Sequence, residues 1–488
     1  MMSNEKNPNN DVVIGLEIHI QLTNLNTKLF CSCSSHYRDA DPNTHTCPIC
    51  LGLPGSLPVI NEKAVDFATR LALALEGDIN KRMYFFRKHY FYPDLPKNFQ
   101  ITQYNKAGGK AFADGGKITV KINGQKRDLE LDRIHLEEDP GRLIHKGSIA
   151  TSPFTLVDYN RSGISLIEIV TKPVMKSPEE AREFLNQLKS IVQYIEIADL
   201  DLEGSCRVDA NISIKGHNRS EVKNISSFKE VERALKWEIQ RQRNLIKRGK
   251  EVEQETRHWD DINRITISLR TKEFEKDYRY FPEQDLVPII IEDEFIDEVE
   301  QNLPELPNQR MNRLKEEYSL SEFDAELLVI DKHIADFFEE GVKNEDSFGK
   351  DEYKLYCNWL MSDVSRWLNE HDESIQNTNL EPKQLAKLIK YIKKGKLTGK
   401  IAKTFVDDLM KGKDVDTIIE KTGKKRIADE DKLSQIVQKV IEENQDIVKD
   451  YKKNPKALQA LIGRVMKETR GQADPIKTKE LMLNFLKD

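Results

Sequence analysis

Glu17 and His19 lie two residues apart in VVIGLEIHIQL (12–22). Period-2 alternation puts Ile14, Leu16, Ile18, Ile20 and Leu22 on one side of a strand and Glu17, His19 and Gln21 on the other. The glutamate and histidine then stand ~7 Å apart along the strand, close enough to converge on one cation. For this segment alone, a wetted face of an antiparallel strand is the ordinary alternative. The arrangement recurs, however. In 205–214, Arg207, Asp209, Asn211 and Ser213 oppose Cys206, Val208, Ala210, Ile212 and Ile214. In 133–138, Arg133, His135 and Glu137 oppose Ile134 and Leu136, and in 264–270, Arg264, Thr266, Ser268 and Arg270 oppose Ile265, Ile267 and Leu269. Glu17, His19, Glu137, Asp209, Arg207 and Arg270, with Arg279 of DYRYFP, supply hard oxygens for a cation and guanidinium forks for phosphate oxygens. These are the donors of a magnesium–nucleotide site. On this reading Glu17, His19 and Glu137 surround Mg2+, because all three aim off the apolar face.

Cys31, Cys33, Cys47 and Cys50 form CxC-x13-CPxC, two close pairs separated by a loop. This is the layout of a closed, structural four-thiolate zinc site, with His36 or His45 as substitutes and reduced free thiols as the alternative. The segment 87–104, RKHYFYPDLPKNFQITQY, is dense in aromatics and cations. It reads either as an aromatic core loop or as a recognition element with Lys88 near phosphate and Tyr90, Tyr92 and Asp94 shaping a pocket. Residues 383–403 hold eight lysines and no acid, either a solvated helix face or a track for a phosphate backbone.

Other chemistries lack their motifs. There is no Walker A sequence; AGGKAF (107–112) and GGK (115–117) read as hairpin turns. There is no G-x-S-x-G elbow and no Cys–His glutaminase pair, since Cys206 and Cys357 fall in core contexts. Any ATP site is therefore a sheet-based metal site. The 488 residues carry a net charge of −6 and a mean hydropathy of −0.62, and no apolar run approaches the ~18 residues of a membrane span. The polar N-terminus lacks a secretory signal. Six cysteines in a chain this long fit a reducing cytoplasm better than a disulfide scaffold.

The elements that must position these residues divide the chain. Up to about residue 293 strands alternate with helices; beyond it the pattern is helical, and Pro304 and Pro307 punctuate the change. Ser177-Pro178-Glu179-Glu180 is a helix start, followed by Ala181, Phe184, Leu185, Leu188, Ile191, Val192 and Ile195 at helical spacing. A second helix is expected near 226–248. The stretch 412–431 is charged and poor in large apolar residues, as a joint would be. The expected class is α+β: a catalytic part over 1–293, a helical domain over 294–411 and an all-α tail over 412–488.

GLEIHIQL, CPICLGLPGSLPVIN, YFYPDLPKNFQITQY, HLEEDPGR, VDYNRSGISLIEIVT, EVKNISSFKEVERAL, QETRHWDD and DYRYFPEQDL, in this order, resemble the GatB family, the B subunits of the aspartyl/glutamyl-tRNA amidotransferases. GRVMKETRGQADP (463–475) is similar to that family's tRNA-contacting, YqeY-like tail. Pro140, Cys206, Val208 and His258 depart from the family's usual residues, and none is an assigned site residue. The resemblance implies a glutamine-synthetase-like cradle domain with a mixed or antiparallel sheet, then the two helical domains. It implies ATP- and Mg2+-dependent phosphorylation of the side-chain carboxylate of Asp or Glu misacylated onto tRNA, followed by displacement of phosphate by ammonia. It also implies a heterotrimer with the amidase GatA, which releases the ammonia, and the small protein GatC. Glu17, His19, Glu137, Lys88 and Asp209 are then the expected catalytic residues, and Arg207, Arg270, Arg279 and Tyr90 the expected nucleotide-binding ones. The competing classes are a metal-dependent hydrolase using Glu17 and His19, and a non-catalytic subunit that binds tRNA. A pure RNA surface would favour lysine and arginine over Glu17, Glu137 and Asp209.

Overall fold

The computed structural model describes residues 11–145, 152–225, 227–271, 278–343, 345, 347–422, 430–453, 457–469, 472–473 and 475–486. Two compact units divide between Leu306 and Pro307, between the two prolines that mark the change of pattern.

The first unit is built on a ten-stranded sheet with the strand Val12–Gln21 inside it. Ile14, Leu16, Ile18 and Ile20 are fully buried or nearly so, so the alternation does set the two faces. Antiparallel neighbours flank this strand: Ser165–Thr171 on one side, followed outward by Gln125–Glu138, and Cys206–Ile214 on the other. Beyond Cys206–Ile214 come Ser220–Ile225, Glu255–Asp260 and the edge strand Ile265–Thr271. The Ser220–Ile225 and Glu255–Asp260 pair is parallel, which makes the sheet mixed.

Two long helices join the apolar face. Pro178–Tyr194 begins at Ser177, whose hydroxyl accepts from the Glu180 amide at 3.2 Å, and it buries Phe184, Leu185, Leu188 and Val192 in the main core. Phe228–Lys247, capped by Ser227, buries Val231, Leu235 and Ile239 there. Its fully buried Glu238 accepts from Arg241 at 2.6 Å, from Gln242 at 2.9 Å and from Thr266 at 2.9 Å, which offsets the loss of hydration of that carboxylate. The helix Asp293–Gln301, grouped with the helical half on sequence pattern, packs Phe295 and Ile296 against this core. Gly115 and Gly116, at φ +68° and +95°, do not make the hairpin expected at GGK: Ala113–Asp114 before them and Lys117–Ile122 after them both pair antiparallel with Gln125–Glu138, so the glycines interrupt one run along that strand, and a Cβ on Gly116 would lie 2.6 Å from the Leu75 carbonyl oxygen.

The described residues of the second unit are helical, from Pro307–Glu317 to Pro475–Phe485. A mixed sheet in one unit and helices in the other agree with the expected α+β class. The last helices share a core of their own, with Leu433, Val437, Leu461, Val465 and Met482 buried together. Within the helix Lys332–Val342, Gly341 faces Tyr356, and an added Cβ would lie 2.0 Å from the tyrosine oxygen and 2.5 Å from Cζ. That ring is fully buried and its hydroxyl donates to the Pro382 carbonyl at 3.1 Å, so it cannot yield. Gly341→Ala is expected to destabilise this unit by about 2 kcal/mol, read as a lowered midpoint in urea unfolding. An unchanged midpoint would show that Tyr356 can move.

Candidate active site and metal centre

Strand register assembles the polar face. His19 stands opposite Glu168 on one neighbour and Arg207 on the other, and Glu17 stands opposite Asp209. One strand further, Glu168 faces His135 and Leu166 faces Glu137. The His19 Nε2 atom is consequently 3.7 Å from a carboxylate oxygen of each of Glu17, Glu137 and Glu168. Burial by itself would lower the imidazole pKa, but the close approach of Glu168 and the charges of Glu137 and Glu17 prevail and raise it to about 9. Glu168 is buried, which pushes its pKa up, yet His135 and His19 hold it well below the usual carboxylate range. Glu17 is raised, by burial first and by the Glu168 charge second.

Glu17, His19 and Glu168 have ligand atoms within 4.8 Å of one another. Two carboxylates and an imidazole on a polar face suit a hard divalent cation that completes its shell with substrate oxygens or water. The expected set of Glu17, His19 and Glu137 therefore differs by one residue. Glu137 reaches His19 with one oxygen, while its other accepts from Thr102 at 2.8 Å. Glu168 gave a weak signal in sequence because Leu166 and Val170 share its face, so SLIEIVT reads apolar on both sides. A lone glutamate inside such a run was the available clue. His135 likewise bridges outward, with Nδ1 3.4 Å from Glu168 and Nε2 against Asn105.

Beside this cluster opens a cavity of about 290 Å³, lined among others by Lys88, Thr102, Arg133, Glu137, Glu168 and Tyr280. Tyr280 stacks on Tyr104, centroids 4.0 Å apart. Burial opposes charge on Lys88, but Tyr280, Glu137, Tyr90 and Glu168 together raise its pKa above the ordinary lysine value, leaving an ammonium at the cavity wall. Tyr90 packs edge-on to Tyr278 at 6.1 Å, and burial pushes its hydroxyl pKa up.

The other expected residues are distributed more widely. Asp209 accepts from Lys223 at 2.8 Å. Arg207 donates at 2.7 Å to Asp139, a buried carboxylate that also accepts from Gln21 at 2.7 Å. Burial raises the Asp139 pKa, but Arg207 and Arg161 outweigh it and hold it down. Arg279 is exposed in the left-handed region at φ +43°, with its carbonyl 3.2 Å from His89 Nδ1; it follows Tyr278 and precedes the cavity residue Tyr280. Arg270 does not join the cluster by backbone position. It sits on the edge strand opposite Thr256, four strands from Glu17 and thus about 19 Å away at normal strand spacing; its side chain lies outside the described residues. Cys206 and Cys357 are core thiols, as expected, and burial pushes each up to about 12.

Cys31, Cys33, Cys47 and Cys50 are free thiols whose sulfurs all lie within 4.8 Å of one another. A tetrahedral zinc with ~2.3 Å bonds needs sulfurs ~3.8 Å apart, so small rotations suffice. The Cys47 amide donates to Cys50 Sγ at 3.2 Å, closing the CxxC turn. Neither His36 nor His45 belongs to the cluster. A hydrogen bond from Cys31 lowers the Cys50 thiol to about 4, against burial and with help from Lys28. In the second unit, the lysine-rich segment is partly committed to ion pairs: Lys387 with Asp414 and Asp416, Lys390 with Glu345, Lys393 with Asp351 and Glu352, and Lys403 with Asp363. Acids brought in from other segments thus neutralise half of what reads as an uninterrupted basic track.

An acid-rich sheet face around an imidazole, beside a cavity walled by an ammonium, is a polar site able to take a divalent cation on a mixed sheet, and the same unit carries a cluster of four thiols able to take another. The chain belongs to the GatB family: the GatB/GatE catalytic domain matches residues 12–297 and the GatB domain matches residues 336–486. The chain is 47% identical to the B subunit of the aspartyl/glutamyl-tRNA(Asn/Gln) amidotransferase of Sulfolobus acidocaldarius, over 96% of this chain and 98% of that one. The proteins of the same name from Carboxydothermus hydrogenoformans and Methanococcoides burtonii are each 44% identical, over 98% of both chains.

Proposed function

We propose that this chain is the B subunit of a tRNA-dependent amidotransferase that converts Asp-tRNA(Asn), Glu-tRNA(Gln) or both to Asn-tRNA(Asn) and Gln-tRNA(Gln). The observation that carries the reading is the meeting of Glu17, His19, Glu137 and Glu168 beside the Lys88 cavity, in a chain alike over nearly its whole length to proteins of that name. In the proposed reaction the side-chain carboxylate of the misacylated residue attacks the γ-phosphorus of ATP. An acyl phosphate forms and ADP leaves. Ammonia then attacks the acyl carbon, the bond to the phosphate oxygen breaks, and the nitrogen loses a proton. Activation is needed because a carboxylate oxygen is a poor leaving group, whereas phosphate departs readily.

The side chains divide this work. Glu17, His19 and Glu168 would hold Mg2+, which supplies charge neutralisation for the phosphoryl oxygens. Lys88 offers an ammonium to the anionic substrate from the cavity wall, and Tyr104 and Tyr280 form a flat apolar wall. Arg207 orders the face through Asp139. Arg279 is assigned to nucleotide binding together with Tyr90. The acidic set argues against a surface that only docks RNA. The ammonia would come from the amidase GatA, with the small protein GatC completing a heterotrimer in the cytoplasm; among the described residues no helix is long and apolar enough to cross a membrane. The cradle of glutamine-synthetase type over 1–293, the helical domain over 294–411 and the tRNA-holding tail over 412–488 belong to the same proposal. Reconstitution with the amidase, ATP and each misacylated tRNA tests it: amidation of at least one is expected, and none in an otherwise active assembly would overturn it.

The tail makes a separate prediction. Its last helices have their own core, so deleting 412–488 should raise the KM for aminoacyl-tRNA about tenfold, which is 1.4 kcal/mol of binding. ATP chemistry at saturating tRNA should persist. Loss of turnover at every tRNA concentration, with the first unit still folded, would place the tail in the catalytic machinery.

A further inference from the structure

Lys28 is fully buried, and its ammonium faces the cysteine cluster. Among the described residues its three polar contacts are the His45 carbonyl at 2.8 Å, the Tyr159 carbonyl at 3.4 Å and Cys50 Sγ at 3.7 Å. No carboxylate is among them. An ammonium taken out of water without an opposite charge costs several kcal/mol, and two carbonyl dipoles orient it without neutralising it. The sulfur is the one contact able to carry negative charge. Four thiolates around one dication leave two negative charges in excess, and such a centre, buried on the Cys50 side, needs a cation as much as Lys28 needs an anion. Each burial accounts for the other.

We infer that Lys28 is the outer-sphere cation of a zinc tetrathiolate, donating to Cys50 Sγ and controlling how firmly the metal is held and how readily Cys50 reacts. The inference rests on reading the four cysteines as a zinc site. Donation to the sulfur withdraws electron density from the thiolate most closely approached. Protons, electrophiles and competing chelators then attack Cys50 less readily. The two carbonyl contacts fix the ammonium from the cysteine loop and from the loop at Tyr159, so its position depends on neither alone.

The test compares wild-type protein with Lys28→Met, which keeps length without charge, and Lys28→Gln, which can still donate to the carbonyls without charge. Zinc content is measured first. Release to a chromogenic chelator and alkylation of Cys50 by iodoacetamide are then timed. Both variants should release zinc about 10–100-fold faster, the range for losing an outer-shell partner, and should alkylate faster. Fast release in the Met variant with wild-type behaviour in the Gln variant would assign the effect to hydrogen bonding and overturn the charge role. Wild-type release rates in both would overturn it too. Absence of metal from the wild-type protein would instead overturn the zinc reading itself. Should neither variant fold, the unaltered protein loaded with 113Cd decides: the Lys28 nitrogen must resonate as an ammonium coupled to the metal, and a neutral amine refutes the inference.

Discussion

Glu168→Gln is expected to lower ATP-dependent amidation by about a thousandfold or more, equivalent to roughly 4 kcal/mol of transition-state stabilisation, while glutamine hydrolysis by the amidase partner stays near normal. The substitution is nearly isosteric, so the strand should keep its register against Val12–Gln21. It removes the negative charge that opposes His19 on one side and His135 on the other. A proposed cation would lose a ligand, and two imidazoles would lose their shared anion. Glu137→Gln should be similarly severe, because Glu137 borders both His19 and the cavity. Phosphate release, amidated tRNA and glutaminase rate measured on one reconstituted assembly separate the outcomes. Full amidation by Glu168→Gln would remove that residue from the site, and equal loss of glutaminase would point to misassembly.

Removing the proposed zinc, or replacing Cys50 by Ser, is expected to cost the first unit about 4 kcal/mol or more, since metal loss is among the few changes of that size. The described contacts explain why the effect would reach the active face. The Cys50 carbonyl accepts from Ser162 at 3.3 Å, the Asn160 side chain accepts from the His45 amide at 2.7 Å, and the Leu29 amide donates to the Gly163 carbonyl at 2.9 Å. The Gly163 amide in turn donates to the Asp139 carbonyl at 2.9 Å, and Asp139 carries Arg207 and Gln21. A loosened cysteine loop therefore unsettles the loop that frames Asp139. Elemental analysis should find about one zinc per chain, and chelation should lower Tm by ~8 °C, at roughly 2 °C per kcal/mol for a unit of this size. Four titratable thiols in metal-free native protein, with Tm unchanged, would rule the centre out.

The sequence by itself determined which side chains could share a face. Alternation in 12–22, 133–138 and 205–214 is a local property of extended chains, so Glu17, His19, Glu137, Arg207 and Asp209 were legible before any strand was placed. The spacing of the four cysteines and the Ser177 helix start are equally local. Tertiary structure decided adjacency. Glu168 meets His19 only because two strands far apart in the chain pair in one register, and a shift of one residue would turn it to the other face. Other long-range contacts give Asp139 to Arg207, acidic partners to four lysines of 383–403, and Cys50 to Lys28. Strand pairing also carries Arg270 to the sheet edge, away from the residues whose pattern it shares. Periodicity specifies direction along one strand; which strand lies beside it, and in what register, is set by packing between segments that carry no record of each other in their spacing.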